Sequence, residues 1–200
     1  SMVSHDLRNP PNVAAGRVQM EQATNDSENL SKAREAIDRM DDIVEDVLSL
    51  AREGQRVVDR GPVSLPECTR DAWASIDTTQ ASLSVDEDAG SLLADASRLR
   101  QLLANLLRNA VDHAGPDVAI RVGRLDGEGF YVEDDGPGIP EAEREQVFEY
   151  GRSERADGTG FGLAIVEGIT EAHGWAVDAT EGESGGARFE VTGVEWDEDG

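Results

Sequence analysis

Between positions 30 and 51 the apolar residues Leu30, Ala33, Ile37, Met40, Val44, Val47 and Ala51 recur at alternating spacings of three and four. A strand alternates with period two, so this spacing admits only a helix with one apolar seam. Ile43 and Leu48 widen the seam, and the run Thr24-Asn25-Asp26-Ser27-Glu28-Asn29 before it supplies a turn and candidate N-caps. A weaker apolar face precedes it in Val3, Leu7, Val13, Ala14 and Val18. Residues 3–54 therefore predict an antiparallel helical hairpin. Two such helices cannot bury both faces alone. They pack either on the rest of the chain or on a second copy, and the expected arrangement is half of a dimeric four-helix bundle.

Past Gly54 the helical period stops, and residues 55–64 read as a linker. Beyond it short strand patterns at 82–85, 91–94, 118–122, 130–133, 176–180 and 188–191 alternate with helical ones at 65–76, 96–113, 141–148 and 163–173. This predicts an α+β chain in which a sheet is layered with helices over 65–193. Residues 194–200 read as an acidic tail.

Charge narrows the class of function. Eighteen basic residues against 42 acidic ones leave a formal charge of −24. Phosphate backbones need cationic surface, so nucleic acid is excluded as a partner, and so is an anionic membrane. No run approaches the roughly 18 apolar residues of a membrane span, and no signal sequence opens the chain, so no direct membrane contact and a cytoplasmic location are expected. Cys68 is the sole cysteine, which rules out an internal disulfide. Lys32 is the sole lysine, and the acidic residues are spread along the chain. Such charge repels itself in dilute buffer and is screened at high salt, so a salt-rich cytoplasm is expected. Ser1-Met2 reads as a scar of expression.

Six of the 21 glycines fall between Gly136 and Gly162. Val132-Glu133-Asp134-Asp135-Gly136-Pro137-Gly138-Ile139-Pro140 follows a strand pattern and reverses direction. Gly160-Phe161-Gly162 then opens the apolar helix at Leu163, so 159–163 offers backbone N–H groups and a helix N-terminus to a phosphate. Neither cluster is specific alone. Upstream, Leu99, Leu102, Leu103, Leu106 and Ala110 mark the buried face of one helix, on which Asn105 and Asn109, four apart, share a side.

Together these segments resemble the nucleotide-binding boxes of histidine kinases: 105–113, 134–139, 147–149 and 158–163 occur in that family's order. The family shares its ATPase fold, an α/β sandwich, with DNA gyrase, heat-shock chaperones and mismatch-repair ATPases. The resemblance covers about 65–193. Ser4-His5-Asp6-Leu7-Arg8-Asn9-Pro10 resembles the same family's phosphoacceptor box. The acidic, lysine-poor composition points to a haloarchaeal source.

What the resemblance implies can be assigned residue by residue. His5 accepts the phosphoryl group, Asp6 holds its tautomer, and Asn9 orients the transferred group. Asp134 accepts a hydrogen bond from the adenine amine, with Gly136, Gly138 and Ile139 passing close to the base. Asn109 gives an amide oxygen to Mg²⁺ on the phosphates of ATP, supported by Asn105. His113 stands beside the nucleotide, and Phe148 of the third box belongs to the ATP site as well. Residues 151–159 form a lid whose Arg152 and Arg155 meet the γ-phosphate, and Thr159, Gly160, Gly162 and Leu163 seat the phosphates. The partner is a response-regulator receiver domain. His173 reads as structural, near a helix C-terminus that favours cations.

The chain departs from the family at four points. Only Val3 and Ser4 precede the phosphoacceptor box, which reads as a fragment of a longer sensor with a weakened dimer. Pro11 follows Pro10, Asp112 replaces a common basic residue, and Ala187 a common threonine. These leave one alternative, an ATP-binding regulatory scaffold without phosphotransfer.

Overall fold

A computed structural model of the chain describes residues 60–76, 78, 80–148 and 162–197. The chain divides into two units, Ser1–Arg52 and Glu53–Gly200, and every described residue lies in the second. The expected hairpin over 3–54, with His5, Asp6 and Asn9, lies outside the described residues. So do the lid residues Arg152, Arg155, Thr159 and Gly160.

The elements run β1 (Gly61–Ser64), α1 (Leu65–Trp73), β2 (Ser82–Val85), β3 (Ser91–Ala94), α2 (Ala96–Ala114), β4 (Ala119–Arg124), β5 (Gly129–Asp134), α3 (Gly162–His173), β6 (Ala176–Glu181), β7 (Ala187–Thr192) and β8 (Trp196–Asp197). One sheet has the order β2-β4-β5-β7-β6, parallel only between β2 and β4. A small second sheet has the order β1-β3-β8. The three helices pack side by side, α1 on α2 and α2 on α3, and reach the large sheet. This is the expected α+β sandwich.

Strand alternation divides the large sheet into two faces. Ile120, Val122, Phe130, Val132, Phe189 and Val191 point to the helices and are buried. Against them α2 turns Leu99, Leu102, Leu103, Leu106 and Ala110, the i, i+3, i+4 stripe read from the sequence, and with them Leu107. Asp95 caps α2 by accepting from the N–H groups of Ser97 (2.9 Å) and Arg98 (3.2 Å). Ser64 caps α1 in the same way, with Pro66 in the first turn where no N–H is needed.

Four expectations about elements are corrected. Positions 61–64, read as linker, pair with β3 as β1, and positions 196–197, read as tail, pair with β3 from the other side. The helix expected over 65–76 ends at Trp73. The helix expected over 141–148 is one 3₁₀ turn, Glu141–Glu143, followed by turns. Glu141, Glu143 and Glu145 give that stretch no apolar stripe, and only Val147 and Phe148 can anchor it. Among the described residues, no helix is long and apolar enough to cross a membrane.

His173 is structural, as expected, but it is not a cation. Its ring is buried and stacks on Trp175, with centroids 4.2 Å apart. Nε2 accepts from the Asp95 backbone N–H (3.2 Å), so the proton sits on Nδ1 and is donated to the Ile169 carbonyl (2.8 Å). Its own carbonyl accepts from Arg60. Burial, foremost, lowers its pKa below the ordinary 6.5. The bond to Ile169 opposes this, Arg60 and Arg98 add to it, and Asp95 opposes it. The unfolded state therefore binds the proton more readily. The stability this neutral ring contributes is complete above about pH 6.5 and is lost as pH falls toward the lower folded value. His173→Gln is expected to be less stable than the parent at pH 8 and to close that gap as pH is lowered to 5. Urea midpoints measured across that range check it, and a constant gap would contradict a neutral His173.

Candidate functional site

β5 ends at Asp134, whose side chain lies on the helix face of the sheet just past its last pairing with β7. Its Oδ1 accepts from the Gly136 N–H (2.9 Å) and the Ala187 N–H (3.1 Å). Among the described residues no donor is bound to Oδ2. Asp134 is 8% exposed, and burial raises its pKa. The two backbone bonds act against that rise, and the charges of Asp135 and Glu133 add to it. Asp134 is thus a clamped acceptor with one oxygen left for a ligand.

The loop after Asp134 fits closely because it is built on glycine. A Cβ at Gly136 would fall 2.3 Å from the Ala114 Cβ of α2. Gly138 has φ +73°, and a Cβ there would lie 2.6 Å from the Gly185 carbonyl oxygen. The loop can therefore lie flat between α2 and the β6–β7 turn. Beside it opens a cleft of about 250 Å³, lined by Asn109, His113 and Ala114 of α2, by Asp134, by loop residues 137–140, by Glu143 and Val147, by Leu163 of α3 and by Ala187 of β7.

Of the residues expected at a nucleotide, the cleft brings together Asn109, His113, Asp134, Gly138, Ile139 and Leu163. Gly136 contributes its N–H to Asp134 rather than a wall. Asn105 is not on the cleft. It lies under the first turn of α3, where a Cβ at Gly162 would be 3.5 Å from its Oδ1. Phe148 is a correction: it is buried and packs edge-on against Phe189, 6.2 Å between ring centres, while its neighbour Val147 lines the cleft. The reading missed Ala114, Pro137, Pro140, Glu143, Val147 and Ala187. The prolines sit inside the glycine loop and were open to being read with it. Ala187 enters through its main chain, and nothing in the sequence marks Glu143.

The cleft suits a base with an exocyclic donor. Its walls are largely apolar, and its clamped carboxylate accepts from an amine and repels a carbonyl. For a cation it offers the amide of Asn109. Among the described residues no three His, Cys, Asp or Glu side chains converge. A single amide fits magnesium, which keeps its waters and takes phosphate oxygens, better than it fits a metal needing a full protein cage.

Comparison with known proteins follows the same division of the chain. Residues 94–194 match the family described as histidine kinase-, DNA gyrase B- and HSP90-like ATPase, and residues 1–56 match the His Kinase A (phospho-acceptor) domain. The chain is 34% identical to the sensor histidine kinase ZraS of Klebsiella oxytoca, over 99% of this chain and 46% of that protein. It is 30% identical to the sensor histidine kinase CpxA of Escherichia coli, over 96% of this chain and 45% of that protein. It spans less than half the length of these relatives. Among solved structures, full-length ShkA in complex with AMPPNP superposes with a TM-score of 0.70 at 28% identity, covering 98% of this chain and 45% of that one. The mycobacterial sensor histidine kinase MprB gives 0.56 at 26% identity, covering 69% and 97%.

Proposed function

The chain belongs to the sensor histidine kinases of two-component systems, and on that premise we propose that it phosphorylates its own His5 from Mg-ATP and passes the group to an aspartate of a response-regulator receiver domain. The observation that carries the nucleotide half is Asp134, buried at the cleft with Oδ1 tied to two backbone donors and Oδ2 left for the adenine amine.

Each residue then has a task. Asp134 selects adenine over guanine, whose carbonyl it repels. Gly138 and Ile139 bring the loop against the base. Asn109 holds Mg²⁺, which neutralises phosphate charge when bound, and Asn105 supports that region from beneath α3. Arg152 and Arg155 meet the γ-phosphate, and Gly162 and Leu163 open the helix whose N-terminus favours it. His5 attacks the γ-phosphorus in line as neutral imidazole. A nitrogen–phosphorus bond forms, the bond to the β–γ bridging oxygen breaks, and ADP leaves. Asp6 keeps the tautomer that presents the free nitrogen, and Asn9 orients the phosphoryl group. The same reading has the chain working in a salt-rich cytoplasm as a homodimer through 3–54.

Incubation with γ-labelled Mg-ATP tests the function. Transfer to histidine predicts protein-bound label that is lost in acid and stable in alkali. ATP binding without such label is the result expected of a regulatory scaffold. Asn109→Ala should lose both the label and most of the magnesium-dependent part of ATP affinity, read by calorimetry with and without chelator. An unchanged response to magnesium would contradict its role.

A further inference from the structure

The sheet face turned away from the helices carries a connected group of side chains on β4, β5 and β7. The Glu133 carboxylate, 5% exposed, is met from both sides: Arg188 Nη1 donates to Oε2 (2.9 Å), and Arg121 Nη1 lies 3.1 Å from Oε1. The Arg188 guanidinium also binds Glu190 Oε1 (2.7 Å) and lies 3.8 Å from the centre of the Tyr131 ring. That ring in turn covers Gly123, where a Cβ would come within 2.8 Å of the Tyr131 hydroxyl oxygen. A carboxylate so far from water is tolerated only when both oxygens are matched.

The position of this group ties it to the cleft. Glu133 and Arg188 stand directly opposite each other across β5 and β7, and theirs is the last paired position of that ladder. One residue further on each strand are Asp134 and Ala187, where the Ala187 N–H donates to the Asp134 side chain. The turn leading into Ala187 has no slack: a Cβ at Gly186 would be 2.0 Å from the Asp134 carbonyl oxygen. The strand ends are thus joined on the outer face by an ion pair and on the inner face by the bond that clamps Asp134.

We propose that Arg188 and Glu133 are positioning residues for base recognition: their ion pair holds the start of β7 against the end of β5, keeps the Ala187 N–H on Asp134 Oδ1, and so sets the direction in which Oδ2 meets the adenine amine. This rests on the reading of Asp134 as the residue that recognises the base. Arg121 touches the same carboxylate from β4 and also binds Glu183 Oε2 (3.0 Å) in the turn before β7, so the control is Arg124, whose guanidinium lies 4.2 Å from the centre of the Trp196 ring at the other end of β4.

The test is ATP and GTP affinity by calorimetry, with urea unfolding of each protein alongside. Arg188→Met keeps the stem and leaves Glu133 paired with Arg121. It should lower ATP affinity and the ATP-to-GTP ratio together by about fivefold. A general change in charge near the phosphates affects both nucleotides alike and cancels in that ratio. Arg188→Lys should recover most of the ratio, and Arg124→Met should keep it whatever its stability. If Arg188→Met fails to fold, Glu133→Gln carries the same expectation. A parental ratio in Arg188→Met, or an equal fall in Arg124→Met, would overturn the proposal. Asp134→Asn in the same series separates the two levels. If it also keeps the parental ratio, base recognition by Asp134 fails and the clamp with it. If it loses the ratio while Arg188→Met keeps it, the clamp alone fails.

Discussion

His5→Gln is expected to bind Mg-ATP with the affinity of the parent and to form no phosphohistidine at all. Glutamine keeps a polar side chain of similar reach, but its amide nitrogen has no free lone pair with which to attack phosphorus. The residues assigned to the nucleotide all fall between Asn105 and Leu163, so the substitution removes the acceptor and leaves the binding site whole. Labelling with γ-labelled ATP beside calorimetry on the same preparation reads both quantities. Label that persists on histidine would move the acceptor. His173 is buried with both ring nitrogens engaged, so the residue to suspect is then His113, exposed at the cleft.

Asp134→Asn carries the next largest effect. The asparagine oxygen can still accept from Gly136 and Ala187, so the clamp survives and the loop keeps its course. Its NH₂ then occupies the place of Oδ2 and faces the adenine amine, donor against donor. Loss of a hydrogen bond to a charged group is worth roughly 1.5–3 kcal/mol, so ATP affinity should fall about ten- to hundredfold. The guanine carbonyl now meets a donor, so GTP should gain relative to ATP. Calorimetry with both nucleotides reads the two changes, and equal ATP affinity in parent and variant would show that Asp134 does not read the base.

The parts of this fold legible in the sequence are those whose forces are local. α2 announces itself because five of its six buried residues form the helical stripe seen in the sequence, and β2 and β3 fall at the expected positions. β1 and β8 are invisible for the opposite reason. One begins Gly-Pro and the other is two residues long, and both exist only because β3 offers them a partner. The 141–148 segment looks helical in the sequence because Val147 and Phe148 suggest an inward face that the glutamates around them cannot extend.

The site divides in the same way. Asp134 and its glycine loop are legible because close backbone approach demands those residue types at that spacing. Phe148 and Val147 are neighbours that point to different places, and the order of letters does not say which one meets the cleft. Ala187 acts through its N–H, which every residue but proline possesses. The Glu133–Arg188 pair joins positions 55 apart, and only the register of β5 on β7 brings them together.

The central claim is that this cleft holds ATP by its adenine on Asp134. A crystal structure of the chain with magnesium and a non-hydrolysable ATP analogue measures it directly. The account predicts the exocyclic amine within hydrogen-bond distance of Asp134 Oδ2, with Oδ1 still on the N–H groups of Gly136 and Ala187 and the metal on the Asn109 amide. A base seated elsewhere, or an Asp134 turned out of the cleft with the analogue bound, would contradict it.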